Sequence, residues 1–310
     1  MKRFSGLDAV RPGALRDPVC AVGMFDGVHR GHRQLLYELT VWAASVKGES
    51  CVLTFDRHPL EVLKGVEVPA LLPLETRLLE LQRHGVDAAG VPSFAAVTDL
   101  EPEAFLEDVL RDRLGCRRLL LGFDSHLGKD RKGDAETLPP MAEALGMEVR
   151  IASRVLDREG RKVGSREIRQ AVLDGDLARA ANLLGRPYAL RGRVVHGAGR
   201  GRKDLVATAN LDVRGQVLPP DGVYLVRVFK GPETAPAVAN LGVRPTFGAG
   251  ERTLEVHVPG WSGDLYGEEL EVRLVRHLRA ERRFPDADAL LAQIREDLAA
   301  LEQAVAHGEV

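Results

Sequence analysis

The chain has 310 residues, of which 45% are hydrophobic and 28% are charged, and its net charge at pH 7 is −2. Lys and Arg number 43 against 45 Asp and Glu, so the chain lacks the basic excess that a long nucleic-acid interface requires. No run of 18 apolar residues occurs, and the first ten residues contain no apolar signal core. These features predict a cytoplasmic protein of two domains that binds neither nucleic acid nor membrane.

The three cysteines, Cys20, Cys51 and Cys116, lie far apart in the sequence. An odd number at such spacing indicates neither a disulfide framework nor a Cys-based zinc site. We therefore expect buried thiols that pack like small hydrophobic side chains.

In the first half of the chain, short apolar runs alternate with longer segments of helical periodicity. The runs that predict buried strands lie at 18–22, 50–54, 88–91, 118–121 and 147–151. The segments that predict helices lie at 31–45, 74–84, 101–114 and 137–145. This alternation predicts an α/β domain with a doubly wound parallel sheet, whose ligands bind at the carboxyl ends of the strands.

The pattern changes near residue 185. A short helix predicted at 175–184 ends at Gly185-Arg-Pro187, where Gly and Pro stand in the order typical of a helix C-terminus. Alternating apolar and polar residues then predict strands at 189–195, 222–229, 237–241, 253–258 and 270–276, followed by a helix at 286–304. We expect a small antiparallel barrel or sandwich with a C-terminal helix, and hence domains at 1–185 and 186–310.

The run Gly23-Met-Phe-Asp-Gly-Val-His-Arg-Gly-His32 connects the first predicted strand to the next helix. It is neither a P-loop nor a Gly-x-Gly-x-x-Gly motif. Its glycines permit close backbone approach, and the helix N-terminus offers N–H groups to a phosphate. His29 and His32 lie three residues apart, so both rings can reach the same phosphates. A Gly-rich turn with two solvent-exposed histidines is the alternative.

A second candidate phosphate site lies in the basic, Gly-rich run 191–203. Backbone N–H groups can approach a polyphosphate closely there while arginines supply positive charge, although a solvated hairpin would have the same composition. Thr208 and Asn210 follow as alternate residues of an extended chain, so their side chains face the same side. Both offer the oxygen ligands that Mg²⁺ prefers.

These motifs together resemble the bacterial bifunctional riboflavin kinase/FMN adenylyltransferase (FAD synthetase) family over nearly the whole chain. The matching segments, in the order of the family, are Gly23–His32, Thr54–Pro59, Gly122–Gly128, Gly222–Tyr224, Asn240–Phe247, Leu265–Gly267 and Arg279–Phe284. The resemblance implies an N-terminal nucleotidyltransferase module that moves AMP from ATP onto FMN and releases pyrophosphate. It also implies a C-terminal β-barrel module that phosphorylates riboflavin, with ATP and flavins as substrates and Mg²⁺ as the cofactor.

The resemblance also implies roles for individual residues of the first module. His29 and His32 would act on the ATP phosphates, and Asp124 would lie at the flavin end of the site. The remaining residues implied for ATP binding are Gly23, Phe25, Asp26, Gly31, Ser165 and Arg169.

In the second module, the resemblance implies that Glu255 is the general base that takes the proton of the riboflavin 5′-hydroxyl, a role that suits a partly desolvated carboxylate. Thr208 and Asn210 would hold Mg²⁺, while Asn240 and Arg279 would contact the flavin. The residues implied for phosphate binding are Gly197, Gly201 and Arg202.

Departures from the family pattern in three segments bear on activity. The family has a second nucleotidyltransferase signature, which corresponds to residues 163–169 here. Gly164 and Arg166 replace a Ser and a Thr of this signature, and each lost hydroxyl contact to a phosphate costs about 1.5–3 kcal/mol. Leu205 and Ala207 replace a Gly and a Pro of the kinase motif. The flavin stretch carries Ser125, His126 and Leu127 in place of two aromatic residues and an Arg. Three alternatives follow: a chain with one activity, a transferase with another phosphorylated acceptor, and a catalytically silent flavin- or nucleotide-binding protein.

Overall fold

A computed structural model of the chain describes residues 1–11, 13–195, 208–243, 252–261 and 265–310. They form two compact units, Met1–Ser165 and Arg166–Val310. The predicted fold class is confirmed, because the first unit contains a parallel sheet and the second a closed antiparallel barrel with a C-terminal helix. Within these ranges, no helix combines the length and apolar character that a bilayer crossing needs.

The sheet of the first unit has six strands, and each strand runs parallel to its neighbours. They are β1 (Lys2–Ser5), β2 (Val19–Val22), β3 (Ser50–Leu53), β4 (Ala88–Val91), β5 (Arg118–Leu121) and β6 (Glu148–Ile151), in the spatial order β1-β4-β3-β2-β5-β6. After β2 the chain builds β3 and β4 on one side and β5 and β6 on the other. This reversal opens a crevice at the carboxyl ends of β2 and β5, where ligands bind in open α/β sheets.

Helices cover both faces of this sheet. They are α1 (Arg30–Ser45), α2 (Pro59–Lys64), α3 (Leu74–Arg83), α4 (Pro102–Ala104, continued by a π-helical segment Phe105–Arg113) and α5 (Leu138–Ala144). Alternate residues of β2 point to opposite faces, so that Ala21 packs in the cluster with α1 and α3 and Cys20 in the cluster with α4. The predicted state of the cysteines is confirmed, since all three are buried and free.

The second unit is a six-stranded barrel. Its strands are β7 (Ala189–Val195), β8 (Ala209–Leu211), β9 (Gly222–Lys230), β10 (Glu233–Val243), β11 (Arg252–His257) and β12 (Glu269–Arg279), in the closed order β10-β11-β8-β7-β12-β9. This unit also contains α7 (Leu177–Leu184) and α8 (Ala287–Ala306), whose first turn is capped by the Asp286 carboxylate at 2.8 Å from the Ala289 N–H.

The sequence did not predict β1, β8, α2 or α6 (Ser165–Leu173), while the other strands and helices named above lie within four residues of their predicted ends. β8 has three residues, too few for a period of two to be visible. β1 is a sheet edge with a mostly exposed side-chain pattern, and α2 buries none of its side chains. Elements that bury little apolar surface leave little periodicity in the sequence.

Glu271 in β12 forms a buried ion pair with two arginines of the barrel. The residue is 9% exposed, and its two carboxylate oxygens accept hydrogen bonds from Arg191 Nη2 at 2.9 Å and Arg273 Nε at 2.7 Å. Burial alone would raise the pKa of Glu271, but the hydrogen bonds from Arg273 and Arg191 outweigh it and lower the pKa below its usual value.

We expect Glu271→Gln to destabilise the protein by about 2 kcal/mol at pH 7, less than the loss of a fully buried pair because both arginines reach solvent. Since the folded-state pKa lies below the unfolded value of 4.5, the charged pair stabilises the fold above that pH and loses its effect as the pH falls through the folded-state pKa. Denaturant titrations at several pH values measure this difference. The exposed neighbour Glu269→Gln is the control, and a pH-independent difference would contradict the assignment.

Candidate active sites

The loop between β2 and α1 has an unusual backbone. Phe25, Gly27 and Val28 have φ angles of 50°, 86° and 38°. Phe25 and Val28 are buried, and a positive φ at a β-branched residue such as Val28 is rare. At the two non-glycine residues such a conformation costs on the order of 1–3 kcal/mol and persists only where the surroundings hold it, as they do at many functional loops.

Hydrogen bonds of three side chains, one from the loop itself and two from outside it, hold this loop in place. The carboxylate of Asp26 accepts hydrogen bonds from the backbone N–H groups of Leu71 and Leu72, at 3.0 Å and 3.1 Å. Ser165 Oγ donates to the Asp26 carbonyl at 2.8 Å, and Arg77 Nη1 donates to the Met24 carbonyl at 2.7 Å. Asp26 and Ser165, expected at the phosphates, thus also maintain the loop that would bind them.

The structure brings the predicted histidine pair together. His29 is the N-cap of α1, and its Nδ1 accepts from the His32 backbone N–H at 3.2 Å. The two rings stack with centroids 3.6 Å apart, and the Phe25 ring lies 5.0 Å from that of His32. A Cβ on Gly31 would lie 3.2 Å from the His29 ring, tighter than most contacts, so glycine provides the space for this stacking.

His32 is neutral at pH 7. Burial, then the charge of His29, then that of Arg77 hold its pKa well below the ordinary value. Its Nδ1 is buried without a hydrogen-bond partner among the described residues. A neutral imidazole carries one N–H, so this ring can donate a hydrogen bond to a phosphate oxygen without first gaining a proton.

The flavin end of the first site is built on the residues after β5. The carboxylate of Asp124 forms an ion pair with Lys162. The Lys162 ammonium and the Arg154 guanidinium lie 5.7 Å and 5.2 Å from the centroid of the Phe123 ring. Asp124 therefore lies just after β5, the strand beside β2. The sequence analysis did not identify the two cationic side chains here, Arg154 and Lys162.

The second nucleotidyltransferase signature begins α6. Ser165 is the first residue of the helix, and Arg169, one turn later, is half-buried. Arg166, which replaces the family's Thr, is exposed, and Gly164 is buried.

In the barrel, the predicted kinase residues form one row across neighbouring strands. Asn210 of β8 is paired with Glu255 of β11, which is paired with Asn240 of β10. The row continues through Val223 of β9 to Arg279 of β12. Directly paired residues place their side chains on the same face of a sheet. The structure thus assembles four predicted residues from segments up to 69 positions apart, the separation of Asn210 and Arg279.

A cavity of about 310 Å³ lies between this row and α8. Its polar wall includes the side chains of Thr208, Asn240, Glu255 and Arg279. Its apolar wall comes largely from the segment that leads into α8 and from α8 itself, through Phe284, Leu290, Ile294 and Leu298. A cavity with an apolar wall and a few convergent polar groups is typical of a site for a small-molecule ligand.

Arg279 is held in the cavity wall by α8. Its Nε and Nη2 donate to the two oxygens of Asp297 at 3.0 Å and 2.8 Å, a bidentate pair. Gln293 Nε2 donates to the same carboxylate at 3.0 Å, and Asn240 Nδ2 lies 3.5 Å from Glu281 Oε1. Sequence reasoning missed Asp297, Gln293 and Glu281. The spacing of Gln293 and Asp297, four residues apart on a buried helix face, was the available signal.

The surroundings of Asn210 indicate whether the barrel can hold a metal ion. Its side chain is 7% exposed, and its Oδ1 is buried without a partner among the residues that the structure describes. A buried amide oxygen without a donor is uncommon in proteins, and its lone pairs are available to a bound cation. With the Thr208 hydroxyl two residues away, this donor set fits a hard cation such as Mg²⁺. Gly197, Gly201 and Arg202, expected at the phosphates, lie outside the described residues, as do Leu205 and Ala207.

Comparisons with known proteins identify a family for each half of the chain. The FAD synthetase family matches residues 12–167, and the riboflavin kinase family matches residues 184–305. The chain is 37% identical over 302 residues to a bifunctional riboflavin kinase/FMN adenylyltransferase of Pseudomonas fluorescens, covering 97% of this chain and 96% of that protein. It is also 37% identical over 306 residues to the protein of the same description in Escherichia coli K12, covering 97% of each.

A solved structure shares the fold over nearly the whole length. It is described as a macrolide-efflux protein from Streptococcus pneumoniae, and it matches with a TM-score of 0.84 at 30% identity, covering 97% of this chain and 99% of that one.

Proposed function

The chain belongs to the bifunctional riboflavin kinase/FMN adenylyltransferase family, and from this premise we propose which residues carry out each reaction. The protein phosphorylates riboflavin with ATP to give FMN and ADP, and it transfers AMP from a second ATP to FMN to give FAD and pyrophosphate. We assign the second reaction to the His29–His32 loop and the first to the Glu255 cavity. The observation that supports the assignment of riboflavin phosphorylation to the cavity is the row formed by Asn210, Glu255 and Asn240.

In adenylyl transfer, the N-terminus of α1 and the two imidazoles bind the ATP phosphates. The FMN phosphate attacks the α-phosphorus, and pyrophosphate leaves without a covalent enzyme intermediate. Catalysis then consists of orienting the two phosphates and stabilising the charge that develops between them. Gly23, Phe25, Gly31 and Arg169 complete the ATP side of this proposal, and Asp124 with Lys162 marks the FMN side.

In riboflavin phosphorylation, Glu255 accepts the proton of the flavin 5′-hydroxyl as its oxygen attacks the γ-phosphorus of ATP. Arg279, fixed by Asp297, and Asn240 orient the flavin against the apolar wall of the cavity. Thr208 and Asn210 would hold Mg²⁺, which when bound supplies positive charge for the transferring phosphoryl group. Gly197, Gly201 and Arg202 are proposed phosphate contacts on the basis of sequence.

We place the boundary between the two modules at 185/186, because the match to the riboflavin kinase family begins at residue 184. The compact units divide earlier, at 165/166, which groups α6 and α7 with the barrel. We also propose that the protein works in the cytoplasm on small substrates rather than on nucleic acid or membrane, since the substrates of the two reactions are ATP and free flavins.

The test of this assignment is direct. Purified protein is incubated with riboflavin, ATP and Mg²⁺, and the flavins are separated by chromatography. We expect FMN to appear first and FAD to follow. FMN without FAD would contradict the adenylyl transfer site, and unchanged riboflavin would contradict both sites and favour a silent binding protein.

Asn210→Ala is expected to raise the Mg²⁺ concentration for half-maximal riboflavin phosphorylation by about tenfold or more, because a lost contact to a charged group costs about 1.5–3 kcal/mol. Conversion of added FMN to FAD should keep its Mg²⁺ dependence. Mg²⁺ titrations of both reactions measure the effect, with Asn182→Ala in α7 as a control for an unrelated amide. An unchanged Mg²⁺ requirement of the kinase reaction would contradict the assignment.

A further inference from the structure

Arg77 on α3 is a buried cation that neither the sequence motifs nor the proposed reactions explain. Its side chain is 4% exposed. Nη1 donates to the Met24 carbonyl at 2.7 Å and Nη2 donates to the Phe55 carbonyl at 2.6 Å. It forms no ion pair with any described residue, and its Nε has no hydrogen-bond partner among them. A guanidinium is thus placed among backbone carbonyls, where an apolar side chain would avoid the cost of desolvating a charge.

The two carbonyls lie just beyond the ends of two different strands. Met24 follows β2 and Phe55 follows β3, and these parallel strands are direct neighbours in the sheet. The planar fork of one guanidinium therefore joins the carboxyl ends of two strands at the edge where the ligand crevice opens. Thr54 Oγ1 also donates to the Met24 carbonyl, at 3.1 Å, so this carbonyl receives two hydrogen bonds.

Met24 begins the strained segment that leads to the histidines. The positive φ angles of Phe25 and Val28 need external support, and His29 at the end of the segment positions His32 through the cap and the ring stacking. The carboxylate of Asp26 anchors the middle of the loop to Leu71, three residues before α3, so α3 and the segment before it hold the loop at two points. Release of the Met24 carbonyl would allow the segment to relax and would displace both rings.

We propose that Arg77 is a positioning residue for adenylyl transfer, which fixes the backbone of the loop that carries His29 and His32 through the Met24 and Phe55 carbonyls. The proposal rests on the assignment of that reaction to the histidine pair. The fork is the essential feature, because a lysine ammonium is a point charge and cannot reproduce two coplanar, diverging donors.

The charge of Arg77 has a second, separable effect. The titratable groups that act electrostatically on His32 are His29, from the loop before α1, and Arg77, from α3, while Asp26 and Asp56 act on Arg77. Because the Arg77 charge contributes to the low pKa of His32, removal of that charge should raise this pKa toward its ordinary value. A lysine at the same position should leave it low.

The experiment compares three variants of the full-length protein. R77M keeps an unbranched apolar stem without the charge, R77K keeps the charge without the fork, and R83M removes an exposed arginine of the same helix that pairs with Glu80 at 2.5 Å. For each variant we measure kcat and KM of FAD formation from FMN, riboflavin phosphorylation as an internal control, thermal unfolding, and the pKa of His32 from its ring C2-proton NMR signal.

We expect R77M to lower kcat of FAD formation by about 10²-fold, since a displacement of about 1 Å at reacting groups has that effect, with a much smaller change in KM for ATP. R77K should lower kcat less, with the His32 pKa unchanged, and R83M should behave like the parent protein. Riboflavin phosphorylation should stay constant in all three. If R77M does not fold, the kcat of FAD formation in R77K tests the proposal.

Two results would overturn the proposal. One is a parent-like kcat in folded R77M or R77K. The other is a loss of rate in R77M that follows only the fraction of unfolded protein, with an unchanged His32 pKa in the folded fraction. A wrong assignment of adenylyl transfer to the histidine pair would give a different result, because His29 variants would then form FAD at the parent rate. The His32 titration would still show whether Arg77 acts on that ring.

Discussion

Glu255→Gln is expected to lower the rate of riboflavin phosphorylation by about 10²–10⁴-fold while the conversion of FMN to FAD continues at the parent rate. The substitution keeps the size of the side chain and removes its ability to accept a proton. Glu255 is the proposed base because it lies in the cavity wall, directly opposite Asn210 with its unpartnered Oδ1 and directly opposite Asn240 on the other side. Initial rates of FMN formation and of FAD formation from added FMN measure the two activities separately.

Glu281→Gln is the matched control for this prediction. Glu281 is a second carboxylate on the same cavity, and it lies within 3.5 Å of the Asn240 amide. We expect this variant to change the KM for riboflavin more than kcat. A phosphorylation rate that survives in Glu255→Gln but is lost in Glu281→Gln would transfer the role of base to the second carboxylate. Loss of both activities in Glu255→Gln would contradict the separation of the two sites.

His29→Asn is expected to lower FAD formation by about 10²–10³-fold, the usual effect of removing one group that stabilises developing charge. Riboflavin phosphorylation should be unaffected. Asn is chosen because His29 is also the N-cap of α1, and an Asn side chain can accept the same hydrogen bond from the His32 N–H. The loss of rate then reports on the imidazole rather than on the helix.

His29→Ala separates the two roles of this residue. It removes the cap as well as the ring, so it should lower the free energy of unfolding by a further ~0.5–2 kcal/mol. Thermal unfolding distinguishes the two variants, while FAD formation should be low in both. If His29→Asn formed FAD at the parent rate and only His29→Ala failed, the residue would act as a cap alone, and the phosphate site would have to be sought elsewhere in the crevice.

Local signals in the sequence were sufficient for the loop and for the order of the elements. The Gly23–His32 run has a glycine at each position where the structure needs backbone space beside a ring, as Gly31 does beside His29. The spacing of His29 and His32 already placed both rings on one helical turn, and the structure confirms their contact. Such features depend on neighbours within about four residues, and the sequence displays them directly.

Contacts between distant segments could not be predicted in this way. The burial of Arg77 depends on the packing of α3 beside β2 and β3, and in the sequence the residue is indistinguishable from an exposed arginine of an amphipathic helix. The same holds for Asp297, whose two hydrogen bonds to Arg279 span 18 positions. Both residues have an essential neighbour that no periodicity encodes.

The sequence by itself determined the fold class, the family and the types of chemical group at each site, because periodicity and motif order are local properties of the chain. Only the tertiary structure decided that Asn210, Glu255, Asn240 and Arg279 lie in one row, and that Arg77 supports the histidine loop. Strand register and helix packing decided both, since one residue of slip along a strand would turn Glu255 to the opposite face of the barrel wall.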